Sequence, residues 1–326
     1  MTKVEGDYPT LERIKTGLYS FDMALSHGGR VGFPTKSVIE IYGNAGIGKS
    51  TLSYFLAGKR SPNGRILICD LEGLDIDYLP IATDPTGFDG IIEIIRSVDA
   101  KGKTRSHENM INELTDRVLQ EEDTQVGILD SVGAILPVFE QASDIGEGFG
   151  AKRAVVVSQF ARKATFTVNN KPAQPNIFVV NHSHVIISGG MGHQTAGGVA
   201  LGYLGAVRLF LRQSNTDNIK SGDEVVAYVT NGTVEKLRYG GKGRRFKFTM
   251  VPGWGIRPRL TLLQDTVDLG LVERGSVVKI GDKSFGYISK FVDYDLEDRE
   301  DKFEPFLEAL NKKQMEKLDQ MKLEKV

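Results

Sequence analysis

Apolar residues recur along this chain in short runs bounded by polar turns, and the runs alternate with stretches of helical spacing. After a polar opening segment, Leu18, Phe21, Met23, Ala24 and Leu25 predict a short helix following Thr16-Gly17. Ser26–Lys36 is a Gly/Pro turn region that leads into a strand through Val38, Ile39, Ile41 and Tyr42. A helical pattern follows at Leu52, Phe55 and Leu56. Gly64 breaks the chain before a second strand, Arg65–Cys69. Ile91–Ile95 reads as a strand, Glu108–Leu119 as a polar helix, and Val126–Leu129 as an apolar strand after the acidic turn Glu121–Asp123. Helix Ala151–Phe166, strand Ile177–Asn181 and a strand within Leu204–Arg212 continue the alternation, and Val226–Met250 reads as further strands. Such alternation predicts an α/β fold with a mostly parallel sheet whose ligands sit at the carboxyl ends of the strands.

Two glycine-rich stretches, Phe139–Gly150 and Val185–Gly198, interrupt this order and read as long loops that become ordered on something extended. Around Met250–Gly253 the register changes. A helix (Leu260–Leu271), a hairpin turning at Gly281-Asp282, an acidic connection (Asp295–Lys302) and an amphipathic helix (Phe303–Leu323) form a separate small unit. The expected organisation is a core over residues 1–250 with a short N-terminal extension. A small C-terminal α/β domain, 251–326, would end in a charged helix.

Composition narrows the class. The 326 residues are 40% hydrophobic and 25% charged, with a formal net charge of -1. Those proportions suit a globular protein, and nucleic-acid binding then requires a local basic patch in place of a global positive field. The single cysteine, Cys69, excludes an internal disulfide and reads as buried strand filler in a reducing compartment. No apolar stretch reaches the ~20 residues of a membrane span, and the N-terminus lacks a signal-peptide core. A cytoplasmic protein with no membrane partner is expected.

The chemistry is concentrated in Val38–Ser53. Gly43, Asn44, Ala45, Gly46, Ile47, Gly48, Lys49 and Ser50, followed by Thr51, complete a G-x-x-x-x-G-K-[ST] signature between a strand and a helix. That context cradles phosphates. Backbone N–H groups close around them, the helix N-terminus favours the anion, Lys49 reaches the β/γ-phosphates, and Ser50 offers its hydroxyl to Mg²⁺. Asp130, ending an apolar strand, is either the second Mg²⁺-associated carboxylate or a turn cap. Glu72, just past Asp70, is either a solvent-facing acid or the base that orients the attacking water. In Lys236–Lys247, the six cations Lys236, Arg238, Lys242, Arg244, Arg245 and Lys247 are interleaved with Tyr239 and Phe246. This run reads equally as a charged edge hairpin or as a phosphate contact.

Several of these pieces resemble the RecA/RadA recombinase family, in particular its bacterial RecA branch, from about Ile14 to Gly286. TGLYSFDMAL, EIYGNAGIGKSTL, ICDLEGLDIDYL, ILDSVGAILP, SQFARK, TAGGVALGYLGAVRL and GWGIRPRLTLLQDTVDLGLVERGS occur in the family's order. The resemblance implies a RecA-like ATPase core hydrolysing ATP with Mg²⁺. Glu72 would be its catalytic glutamate, with Lys49 and Asp130 beside it and Asp75 and Tyr78 at the adenine. Ser158, Arg162, Lys163, Gly197 and Gly198 would meet DNA. Arg238 falls on the first of two lysines that act on a neighbour's nucleotide, Gly240 on the second, with Lys242 nearby. His182 stands where the family couples γ-phosphate to the second loop through glutamine, and His184 replaces a nearby arginine. Gly202 replaces a lysine and Val155 a helix cation. These two histidines with His193 lack a carboxylate or thiolate, so no metal site is expected from them.

The implied activity is a DNA-dependent ATPase that binds single-stranded DNA and homologous duplex DNA, assembles into a filament or ring, and promotes recombination and repair. Only a short polar segment stands where the family grips its neighbours, so either the chain does not polymerise or its assembly uses another contact. An accessory RecA-type ATPase without autonomous strand exchange is the alternative, and a ring helicase or clock-type ATPase is disfavoured by the C-terminal unit.

Overall fold

The computed structural model describes residues 11–98, 102–141, 143–144, 150–186, 192–214, 216–238, 240–275 and 277–323. In chain order the elements are β1 (Arg13–Ile14), α1 (Tyr19–Ala24), β2 (Phe33–Pro34), β3 (Ser37–Gly43), α2 (Lys49–Arg60), β4 (Arg65–Asp70), α3 (Tyr78–Thr83) and β5 (Ile91–Ile95). They continue with α4 (His107–Gln120), β6 (Thr124–Asp130), α5 (Val138–Gln141), α6 (Gly150–Asn170), β7 (Asn176–Ile186), β8 (Gly192–Thr195), α7 (Ala200–Leu204), β9 (Val207–Gln213), β10 (Ile219–Ser221) and β11 (Glu224–Leu237). Last come β12 (Arg245–Val251), β13 (Gly255–Ile256), α8 (Pro258–Asp268), β14 (Glu273–Arg274), β15 (Val277–Ile280), β16 (Lys283–Tyr287), α9 (Lys290–Leu296) and α10 (Glu304–Leu323).

One large sheet runs in the order β13-β12-β11-β9-β3-β7-β6-β4-β5. From β9 to β5 every neighbouring pair is parallel, and β11, β12 and β13 extend the sheet antiparallel. The central strands are apolar on both faces because helices cover both. One face packs Ile39, Ile41, Phe178, Leu209 and Leu211 against Leu52, Phe55 and Leu56 of α2 and Phe21 of α1. The other packs Leu67, Cys69, Leu129 and Val179 against Met110 and Leu114 of α4 and Val157 and Phe160 of α6. Cys69 is fully buried, and burial pushes its thiol well above the usual range, as strand filler should be.

Two stretches differ from the sequence expectation. Val185–Gly198 is not loop throughout. β7 runs on to Ile186 and β8 returns antiparallel, pairing Ser183 with Thr195. Glycine content hid the pairing, because the hydrogen bonds of a strand ladder are made by the backbone and leave no mark in side-chain alternation. In Phe139–Gly150, α5 already occupies Val138–Gln141; residues 145–149 lie outside the described residues. The C-terminal elements form a three-stranded antiparallel sheet, β14-β15-β16, with α8, α9 and α10. Their apolar cluster, including Leu260, Phe291, Phe303 and Phe306, also takes in Ile219, Ala227 and Val251 of the large sheet.

A buried polar cluster ties the centre of the sheet together. Glu40 on β3 is fully buried; it accepts a hydrogen bond from Arg208 Nε at 2.6 Å on β9 and another from Asn181 Nδ2 at 2.8 Å on β7. Arg208 also lies over the Tyr42 ring, 4.7 Å from its centroid. Removing one partner of such a pair strands a charge in the interior. Arg208→Ala is therefore expected to lower stability by about 3 kcal/mol, read as a shifted urea midpoint, while the double variant with Glu40→Gln recovers part of the loss.

Asp265 on α8 is buried, and burial pushes its carboxyl up to about 7 although it accepts hydrogen bonds from Ser20 on α1. Its ordinary value is 3.8, so its titration contributes stability that is complete below that value and is lost as pH rises through about 7. Asp265→Asn should raise the urea midpoint at pH 8 relative to the unaltered chain by more than it does at pH 5.

Candidate nucleotide site

The parallel strands run in the same direction to one edge of the sheet. Gly43, the last residue of β3, pairs with His182 on β7 and Leu211 on β9, while Asp70 on β4 pairs with Asp130 on β6. The phosphate loop, the acids and His182 therefore meet at one edge of the sheet. The phosphate loop, Glu72 and His182 line a cavity of about 410 Å³, with Ala45, Gly46, Gly48, Lys49, Ser50, Thr51 and Tyr78 also in its walls.

The loop is shaped to leave donors free. Gly48, at φ +87°, precedes α2, and a side chain there would meet Met250 Sδ at 2.4 Å, so only glycine fits. No side chain caps the N-terminus of α2, which leaves its first N–H groups and its positive dipole end open to the cavity. Thr230 Oγ1 on β11 donates to the Ile47 carbonyl at 3.0 Å and anchors the loop from behind. Lys49 Nζ folds back to donate to the Asn44 carbonyl at 2.7 Å. Burial lowers the Lys49 ammonium from its usual range, against the opposing charges of Glu72 and Asp130.

Asp130 is nearly sealed from water. Burial raises its carboxyl, although hydrogen bonds from Ser50 and from Tyr54 favour the charged form. Tyr54 Oη donates to Oδ2 at 2.8 Å, whereas Oδ1 is buried with no hydrogen-bond partner. An unpartnered buried carboxylate oxygen beside a serine hydroxyl fits a hard divalent cation such as Mg²⁺. Among the described residues, no cluster of three or more histidines, cysteines or acids is arranged to hold a metal ion. The side chains of His184 and His193 lie outside the described residues.

Glu72 is half-exposed beside this pair. Burial acts to raise its carboxyl, but hydrogen bonds from Ser131 and His182, and the charge of Lys49, outweigh it and hold the group below the usual range. His182 Nε2 lies 3.0 Å from Glu72 Oε1, and Ser131 Oγ donates to the same oxygen. Sequence reading missed Ser131, whose only signal was its place directly after Asp130. At the other end of the cavity Tyr78 shares a hydrogen bond with Thr51 (3.1 Å), and Tyr228, Pro252 and Gly253 complete the wall. Asp75 is exposed outside that lining and accepts from the Asp77 N–H at 3.0 Å.

The remaining candidates fall elsewhere. Leu237 pairs with Val207 at the start of β9, so Arg238 sits at the edge of the sheet opposite the phosphate loop. Arg238 Nη2 donates to the Leu204 carbonyl at 3.0 Å and Lys236 Nζ to Gly202 and Tyr203, together capping α7; Lys242 is exposed on the turn. On α6, Arg162 Nη1 donates to Ser158 Oγ at 2.8 Å, while Lys163 turns to Asn112 on α4 (2.7 Å). Gly197 and Gly198 pass beside Val157 and Ala154 of the same helix, so the second loop returns against the helix that carries Ser158 and Arg162.

Comparison with known proteins agrees with this arrangement. The family model for the RecA N-terminal domain matches residues 1–257. The chain is 30% identical over 280 residues to protein RecA of Allochromatium vinosum, covering 85% of this chain and 74% of that protein. It is 27% identical over 289 residues to protein RecA of Ruegeria pomeroyi, covering 85% of this chain and 76% of that protein. A parallel sheet with a glycine-rich phosphate loop at its carboxyl edge, two acids on the adjoining strands and this match over most of its length make the chain a member of the RecA family.

Proposed function

We propose that this protein is a DNA-dependent ATP hydrolase of the RecA type, acting in recombination and repair. One observation carries the reading: an uncapped helix N-terminus, Lys49 and the ionised Glu72 face a single cavity, and the unpartnered Asp130 oxygen lies buried next to Ser50 in its wall. Gly43 to Thr51 would wrap the triphosphate, and Lys49 would exchange the Asn44 carbonyl for the β/γ-oxygens. Ser50 and Asp130 would hold Mg²⁺, which would supply charge neutralisation at the triphosphate. Glu72 would orient the water for attack on the γ-phosphorus, and Tyr78 would pack at the base, with Asp75 close by.

Arg238 and Lys242 cannot meet this chain's own phosphates from the far edge of the sheet, which supports a homo-oligomer in which they complete a neighbour's site. Ser158, Arg162, Lys163, Gly197 and Gly198 gather around α6 as a surface for single-stranded DNA, with a homologous duplex as second partner. Residues 251–326 are read as a small C-terminal domain docked on this core. His182, which already engages Glu72 in place of the family's glutamine, favours a second reading, an accessory RecA-type ATPase without strand exchange of its own. Among the described residues no helix is long and apolar enough to cross a membrane.

Lys49→Ala should abolish hydrolysis, measured as phosphate release with single-stranded DNA present. Normal turnover in that variant would undo the phosphate-loop assignment. Glu72→Gln should keep ATP binding and slow turnover by about 10²- to 10⁴-fold; a variant that turns over normally would remove Glu72 from the reaction. Sedimentation of the unaltered protein with ATP and single-stranded DNA should show association that neither ligand alone produces. Strand exchange by the isolated protein separates the first reading from the second.

A further inference from the structure

Glu72 stands on a turn just past the end of β4, and Asp70 fixes that turn. Asp70 Oδ1 accepts the N–H groups of Glu72 (3.2 Å) and Gly73 (2.9 Å), and Oδ2 accepts that of Leu74 (3.0 Å). This sets the Glu72 backbone but leaves a flexible side chain whose carboxyl is held only from other strands. Ser131, the first residue after β6, is fully buried and donates to Oε1. His182 reaches the same oxygen from β7. The His182 ring packs on Gly133, where an added Cβ would stand 2.5 Å from Cδ2. Residues 131–133 therefore supply one clamp on Oε1 and the seat for the other.

We infer that Ser131 is the positioning residue for Glu72, pinning Oε1 so that Oε2 is the oxygen presented to the attacking water, with Gly133 seating His182 as the second clamp. The inference rests on the hydrolase reading above. In the step it serves, the water oxygen bonds to the γ-phosphorus as the bond to the β–γ bridging oxygen breaks. ADP leaves with that electron pair, and the water's proton passes to Glu72 Oε2. Neither clamp touches phosphate in this role; both act through the aim of one carboxylate. A misdirected general base loses rate while ground-state binding, set by the phosphate loop, is untouched.

The test compares steady-state ATP turnover, in the presence of single-stranded DNA, with affinity for a non-hydrolysable ATP analogue. Ser131→Ala should lower kcat on the order of 10- to 100-fold while analogue affinity stays within about twofold, and Ser131→Thr, which restores the hydroxyl, should recover much of the rate. Gly133→Ala, which displaces the His182 ring without removing a donor, should reproduce the same split in weaker form. If the unaltered protein hydrolyses ATP and the Ser131→Ala variant turns over within about twofold of it, this inference falls alone. A Ser131→Ala variant that loses affinity in step with turnover overturns it too, because the hydroxyl is then structural. An unaltered protein that binds ATP but never hydrolyses it overturns the hydrolase reading and this inference together.

Discussion

Parallel pairing brings the ends of β3, β6 and β4 and the His182 position of β7 to one edge of the sheet. Gly43 lies opposite His182 and Asp70 opposite Asp130. Because side chains alternate faces along a strand, a slip of one residue in any of these pairs would turn an acid away from the cavity. The register is held where it can least afford to slip. Glu40 takes hydrogen bonds from Arg208 and Asn181 on the two flanking strands, three residues before the loop begins. Those bonds form only when β9, β3 and β7 are aligned, so the polar cluster fixes the same alignment that assembles the site.

At the edge thus created, burial drives the groups toward their neutral forms and neighbours resist it. Lys49 is lowered and Asp130 is raised, each chiefly by desolvation. An anion brought to Lys49 and a divalent cation brought to Asp130 would each reverse the shift of its partner, so the site gains electrostatically when both arrive together. Glu72 behaves differently. It is more exposed and receives two hydrogen bonds on one oxygen, so it keeps its charge where Asp130 is pressed to lose it. Two nearby carboxylates with environments pulling in opposite directions are suited to the separate roles proposed for them, one holding a cation and the other handling a proton.

Much of this was legible in the sequence, for reasons that particular residues make plain. The phosphate loop is a local object: spacing, an apolar run before it and helical spacing after it specify Gly43–Ser50 without knowledge of the rest. Asp130 and Glu72 could be singled out because one ends an apolar strand and the other lies two residues past the end of one, in an alternation that predicts a parallel sheet. Contacts across large separations could not be read. Arg208 and Glu40 are 168 positions apart, and nothing in either segment announces the other. The long hairpin of β7 and β8 was hidden by glycine, and the contact of Ser131 with Glu72 was hidden because the two residues are 59 positions apart. The basic run through Lys236–Lys247 kept both of its readings open in sequence. In the folded chain two of its cations, Lys236 and Arg238, already cap α7, where positive charge suits the negative end of a helix.

That cap bears on assembly. β9 has seven residues, so its two ends lie ~20 Å apart at ~3.3 Å per residue, with the phosphate loop near one end and Arg238 near the other. A guanidinium reaches about a third of that distance from its own Cα. If Arg238 or the exposed Lys242 ever meets a γ-phosphate, that phosphate belongs to another copy of the chain, stacked so that one sheet's carboxyl edge faces the next sheet's opposite edge. Such a contact is head-to-tail and does not close on itself as a two-fold dimer does; it builds a ring or a helix according to the rotation per subunit. On that condition, completing a nucleotide site and extending an assembly would be the same event, and the triphosphate's charge would offset the cost of desolvating the Arg238 guanidinium at the interface.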